Sequence, residues 1–185
     1  YNITFRALIE LNQKSSVVES LYAEMLSRGI QPNGHSFQAL LRGYVEKNDK
    51  EAVQLWYKRL LVAIDRTEGD ESWTKAFNVI IHYYGKMKDF ETIDNLLDAI
   101  PQKGVPLNHE TYPTIFKFII FYPDPDKGCK LLMQYFIDFI RNFKPTQHTY
   151  YLIIKATAVF NDYEATETYF QKFWKEYQLY RKGEI

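Results

Sequence analysis

The stretch Ala76–Asn108, AFNVIIHYYGKMKDFETIDNLLDAIPQKGVPLN, reads as two short amphipathic helices joined by a tight turn. Phe77, Ile80, Ile81 and Tyr84 hold the i, i+3, i+4, i+7 spacing of one apolar helix face, and Phe90, Ile93, Leu96, Leu97 and Ile100 repeat that rhythm. Gly104-Val105-Pro106-Leu107-Asn108 closes the pair, because glycine caps a helix C-terminus and proline cannot continue one. A hairpin of this size cannot bury both stripes alone. It needs neighbours like itself.

The chain supplies them. Around Phe77 the same pattern starts at Phe5, Phe37, Tyr112 and Tyr150, with successive spacings of 32, 40, 35 and 38 residues. Before each aromatic stands a small residue, Thr4, Ser36, Ala76, Thr111 or Thr149, mostly a hydroxyl suited to a helix start. Three residues after the aromatic come Leu8, Leu40, Ile80, Ile115 and Ile153, and one further on Ile9, Leu41, Ile81, Phe116 and Ile154. In the second helix, Asp89-Phe90-Glu91-Thr92-Ile93 aligns without a gap on Asp162-Tyr163-Glu164-Ala165-Thr166. No segment alternates with period two between turns, so strands are not expected. The expectation is an all-α, right-handed α-solenoid of about five helix-turn-helix repeats in a single array over 1–185. The repeats would span about 3–33, 34–73, 74–108, 109–146 and 147–181. The second would close through an acidic, polar loop, Asp65 to Ser72, and the fourth would turn at Pro123 to Pro125.

Composition bounds the function. An apolar content of 46% supports a packed core and argues against disorder. Lysine plus arginine and aspartate plus glutamate number 23 each, so any nucleic-acid argument must rest on where the charges sit. Thr114 to Tyr122, the most apolar run, contains Lys117 and is too short to cross a bilayer. Cys129 is alone and can form no internal disulfide. The chain begins at Tyr1 and opens almost directly on apolar periodicity, so a piece of a longer protein is expected and targeting cannot be judged. His35, His82, His109 and His148 lack any His-x-x-x-His spacing, and no glycine-rich phosphate loop or nucleophile constellation occurs. No metal, cofactor or enzymatic activity is therefore expected. Asp124 and Asp126 read as turn and N-cap residues, the aromatic column as core, and Trp56, Trp73 and Trp174 as core or inter-repeat packing.

These columns resemble the pentatricopeptide repeat, a helical hairpin of about 35 residues. Its opening, a small residue, an aromatic, two residues and a Leu-Ile pair, is matched by Ala76-Phe77-Asn78-Val79-Ile80-Ile81 and Thr149-Tyr150-Tyr151-Leu152-Ile153-Ile154. Its Gly-Ile-x-Pro-Asp/Asn ending is matched by Gly29-Ile30-Gln31-Pro32-Asn33. The tetratricopeptide repeat wants a small residue where this chain has Ile9, Leu41, Ile81, Phe116 and Ile154.

The resemblance implies single-stranded RNA, an organellar mRNA or rRNA, as partner. It would lie along the first helices, in RNA processing, stability or translation within a mitochondrion or plastid. It also implies two base-reading positions per repeat: Arg6, Gln38, Asn78, Pro113 and Tyr151 after the aromatic, and Asn33, Trp73, Asn108 and Thr146 at the repeat ends. Only Asn78 with Asn108 matches a family pair, one favouring a pyrimidine, and Pro113 has no side-chain hydrogen bond to offer.

Independently of that code, one helical turn beyond the first set come Glu10, Arg42, His82, Lys117 and Lys155. Basic residues in this register would form a ladder for successive phosphates. The alternative is a protein-interaction scaffold, such as a degenerate repeat subunit within a mitochondrial ribosome or another large assembly, with ribosomal or other proteins as partners. The weak code, neutral charge and abundant aromatics (15 Tyr and 13 Phe) favour it.

Overall fold

A computed structural model describes residues 1–65 and 72–182. Its described residues form helices α1 (Asn2–Glu10), α2 (Ser15–Ser27), α3 (Gly34–Glu46), α4 (Lys50–Ile64) and α5 (Trp73–Met87), then α6 (Phe90–Gln102), α7 (Thr111–Ile119), α8 (Pro125–Asn142), α9 (Gln147–Val159) and α10 (Tyr163–Lys182), and no strand. The architecture is all-helical, as the periodicity requires. Most of the acidic loop expected between Asp65 and Ser72 lies outside the described residues.

Contacts divide the chain into two compact units, Tyr1–Leu107 and Asn108–Ile185. In the first, α3 packs between α1 and α5, and α2, α4 and α6 each pack on the helix that precedes them. In the second, α7 packs on α8 and α9, and α9 also on α10 and α8.

The aromatic column is core throughout: Phe5, Phe37, Phe77, Tyr112 and Tyr150 are all buried. So are Leu40, Leu41, Ile80, Ile81, Ile115 and Phe116 beside it. Each such side chain contributes roughly 1.5–3 kcal/mol of transfer free energy. In α4, Trp56 is fully buried, with its ring edge-on to Tyr22 and Phe37. Trp73 is likewise core, but Trp174 departs from the expectation and is 46% exposed, as is Tyr163 at 71%. Helix α10 packs mainly on α9, with Tyr169 edge-on to Phe136 of α8, and its outer aromatics Tyr163, Phe170 and Trp174 stay exposed.

The turns follow from local chemistry. Asn12, Asn48, Lys88 and Asn161 take left-handed backbone between the two helices of four hairpins. Asparagine tolerates that region better than most residues. The next residue caps the second helix: Asp49, Asp89 and Asp162 accept from the amides of Ala52, Thr92 and Ala165. In the fourth hairpin Asp124 accepts from Asp126 and Lys127, with Pro125 at the first helical position. Gly29 and Gly104 end α2 and α6 with positive φ, and Ile30 and Val105 donate back to Met25 and Ile100. Thr74 Oγ1 then donates to the Pro106 carbonyl at 2.7 Å, tying the exit of the third hairpin to the start of α5.

Where the first unit carries phenylalanine, the second carries tyrosine in the core column, and each hydroxyl has a carboxylate. Tyr112 donates to Asp138, and Tyr150 to Glu176 at 2.9 Å. Burial, then the hydrogen-bonded carboxylate, raises both phenol pKa values. A raised phenol pKa means stability held below the ordinary tyrosine pKa, about 10, and lost as pH climbs above it. Replacing both tyrosines by phenylalanine is expected to cost about 1 kcal/mol each at neutral pH. It should also flatten the alkaline limb of a pH–stability curve followed by urea unfolding.

Candidate nucleic-acid interface

In the first unit three of the predicted binding side chains, Arg6, Gln38 and Arg42, line one feature, and Asn33, Asn78 and His82 do not. A groove of about 320 Å³ runs between α1 and α3, lined by Asn2, Arg6, His35, Gln38, Arg42 and Glu46 over a floor of Ala39 and Gly43. The small floor follows from close packing. A Cβ on Gly43 would sit 2.9 Å from Ile9 Cγ2, so only glycine lets α1 approach α3 here. Arg6 and Gln38 come from the position after the core aromatic, and Arg42 from one turn beyond. The helical period thus places Gln38 and Arg42 on one wall, that of α3, and Arg6 lines the groove from α1.

The groove's charge is internally balanced. Arg6 Nε pairs with Glu10 Oε1 at 2.6 Å and Arg42 Nε with Glu46 Oε1 at 3.1 Å, both i,i+4 and exposed. The Glu10 hydrogen bond, then its charge, raises the Arg6 pKa further, so that guanidinium stays charged. Arginine before glutamate is the weaker order for such pairs, and exposed pairs are screened by salt. Breaking either pair therefore costs little. Asn78 and His82, half-buried on α5, continue the same column of first-helix positions.

In the second unit the corresponding residues sit on α7 and α9. Lys117 and Lys155 are exposed, and neither makes an ion pair among the described residues. Lys117 Nζ lies 5.6 Å from the centre of the Phe118 ring. Tyr151 is 57% exposed, and its ring stacks on His148 at 6.3 Å and 25°.

The repeat-end residues have a task the sequence reading did not assign them. Asn33 Oδ1 accepts from Ser36 N at 3.1 Å, and Ser36 Oγ accepts back from Asn33 N. Asn108 Oδ1 accepts from Thr111 N and Glu110 N, both at 3.0 Å, and Thr111 Oγ1 accepts from Asn108 N. Thr146 and Thr149 do the same, with Thr149 N donating to Thr146 Oγ1 at 3.2 Å. Asn33 and Thr146 are thus capping-box residues of α3 and α9, and Asn108 makes the same reciprocal contacts with Thr111 in the turn before α7. The signal was present in the sequence: Asn33, Asn108 and Thr146 stand three before Ser36, Thr111 and Thr149 in the column preceding the aromatic. Among the other residues of the code, Trp73 is buried at the start of α5 and Pro113 lies within α7. Asn78 belongs to the first unit and Asn108 opens the second. Sequence reasoning missed the place of His35 and Glu46 in the groove, because neither falls in the repeat columns it followed.

Comparison with protein families matches residues 20–59 to the pentatricopeptide repeat domain. That stretch is similar to one pentatricopeptide repeat. The matched stretch takes in most of α2, all of α3 and the first part of α4, and so includes Gln38, Arg42 and Glu46 of the groove. No curated protein matches the chain. Pentatricopeptide-repeat proteins as a family generally bind RNA in organelles, and the polar groove borders the first helix, α3, of the matched repeat.

Proposed function

We propose that this chain binds single-stranded RNA along the exposed faces of its first helices. The observation that carries the reading is the convergence of Arg6, Gln38 and Arg42, with His35, on one groove between α1 and α3. Backbone contacts come from Arg6 and Arg42 in the first unit and from Lys117 and Lys155 in the second, with His82 in the same helical register. Such contacts carry affinity without sequence information. By family likeness Asn78 and Asn108 each stand at a base-reading position, a combination of residue types that would favour a pyrimidine. Gln38 and Tyr151 offer a hydrogen-bonding amide and an exposed ring at the equivalent positions. Caps at Asn33, Asn108 and Thr146 engage side-chain oxygens that a strict code needs for bases, which supports binding with loose sequence preference. By family likeness the setting is an organelle, a mitochondrion or a plastid, with a role in RNA processing, stability or translation of an mRNA or rRNA.

The test is fluorescence anisotropy of a labelled single-stranded RNA of mixed sequence, titrated with protein across a salt series. Affinity is expected to fall linearly on a log–log plot, by about 0.7 per phosphate neutralised. Removing the competing carboxylates with Glu10→Gln and Glu46→Gln should tighten binding several-fold at low salt, because the arginines then have no internal partner. Equal affinity before and after that double substitution would remove the groove from the binding path. No salt dependence at all would remove the phosphate contacts.

A further inference from the structure

On the other side of the first unit, the second helices α2 and α4 leave a groove between them. It measures about 270 Å³ and is lined by Tyr22 and Leu26 from α2, Pro32 from the exit turn, and Leu55, Arg59 and Val62 from α4, with Lys58 on its rim. The periodicity of α4 places Leu55 in the apolar stripe with Trp56. In the fold Leu55, Leu26 and Val62 all face solvent, with Val62 at 54% exposure. Three aliphatic side chains around one depression form a place for apolar side chains from outside.

The polar lining has one sign. Lys58 and Arg59 are cations, and no carboxylate is among the described residues that line the groove. Arg59 is held in place: its guanidinium lies 4.6 Å from the Trp56 ring centre and 5.6 Å from that of Tyr22, and Nη2 pairs with Glu19 at 2.8 Å. That pair leaves other guanidinium N–H groups to a second carboxylate. Lys58 is exposed and makes no ion pair among the described residues. A flat base would find little to stack on, since Trp56 is buried and Tyr22 lies against Arg59. A second copy docking through this same face would set Lys58 and Arg59 against their own equivalents.

We propose that the groove between α2 and α4 docks an acidic amphipathic helix from a partner protein, its aliphatic face on Leu26, Leu55 and Val62 and its carboxylates on Lys58 and Arg59. This is helix-in-groove recognition with electrostatic selection of the partner. It lies away from the RNA groove and does not depend on RNA binding.

The probe is a synthetic 18-residue helical peptide with leucines at i, i+3, i+4 and i+7 and glutamates on the flanks. A control peptide carries lysine for every glutamate. Binding to the full chain is read by anisotropy. The glutamate peptide is expected to bind at least tenfold tighter than the lysine peptide. Lys58→Glu should cut that preference about tenfold, and Val62→Glu should abolish binding with the helical circular-dichroism spectrum unchanged. Equal binding of the two peptides, or no binding of either, overturns the proposal. So does retention of affinity in Val62→Glu, displacement of the peptide by single-stranded RNA, or self-association that Val62→Glu disrupts.

Discussion

Gly34→Ala is expected to destabilise the first unit by about 3 kcal/mol or more, among the larger effects a single methyl group can have. Gly34 opens α3, and its backbone is ordinary helix, so glycine is not there for conformational freedom. The reason is a neighbour. A Cβ at this position would lie 2.1 Å from the carbonyl carbon and oxygen of Ser72 and 2.4 Å from the Trp73 amide nitrogen. Those are backbone atoms at the start of α5, and they cannot rotate aside as a side chain would. The whole helix start must retreat. That start holds buried Trp73, whose ring sits 5.8 Å from Phe37, and the Thr74 hydrogen bond to Pro106. Loss of contact between α3 and α5 therefore propagates into the core column. The control is Gly29→Ala, where φ is +73° and nothing lies within 4 Å of the added carbon. Its cost is limited to left-handed backbone strain, about 1–2 kcal/mol. Urea unfolding of the two variants reads the difference directly. Equal midpoints would mean that α3 and α5 do not approach as closely as described.

The largest functional effect is expected from Lys117→Glu combined with Lys155→Glu. Both lysines are exposed and neither pairs with an acid among the described residues, so no ion pair there offsets their charge. If each meets one phosphate, reversal replaces two attractions by two repulsions. RNA affinity should fall tenfold or more near 0.1 M salt, and the slope against log salt should drop by about 1.4. Folding should change little. Lys117 lies beside the Phe118 ring, a contact worth at most about 1 kcal/mol at an exposed site. Anisotropy with thermal melting of the same samples separates the two effects. Unchanged RNA affinity in a folded double variant would show that the second unit contributes no phosphate contacts. The same measurement on Arg42→Glu distinguishes the units, because Arg42 starts out paired with Glu46 and its reversal removes less free charge.

Much of this was legible in the residues. The recurrence of an aromatic with aliphatics three and four positions on is a statement about one face of a helix, and burial of Phe37, Leu40 and Leu41 follows from it. The glycine-to-proline exits and the Asn-Asp turns are local chemistry, set by backbone preferences that a few neighbouring residues express. That the column after the aromatic turns away from the core was legible for the same reason, since 3.6 residues per turn rotate Arg6, Gln38, Asn78 and Tyr151 off the buried face. Less legible was how these side chains are occupied. Asn33 and Thr146 look like free repeat-end residues until Ser36 and Thr149 are seen in hydrogen-bond range.

By itself the sequence determined an all-helical repeat, its hairpins and its core columns, because those depend on periodicity and on turns closed within a few residues. Distances between elements far apart in the chain were decided by tertiary structure alone. Gly34 and Ser72 meet because α3 and α5 stack, and no local rule fixes a contact across 38 positions. The first helices pack tightly enough to make a narrow polar groove, whereas α2 and α4 stand apart and leave Leu55 and Val62 in solvent. Periodicity says which face of a helix is apolar. How much of that face a neighbour covers is set by how closely the backbones approach, and that is a property of the assembled fold.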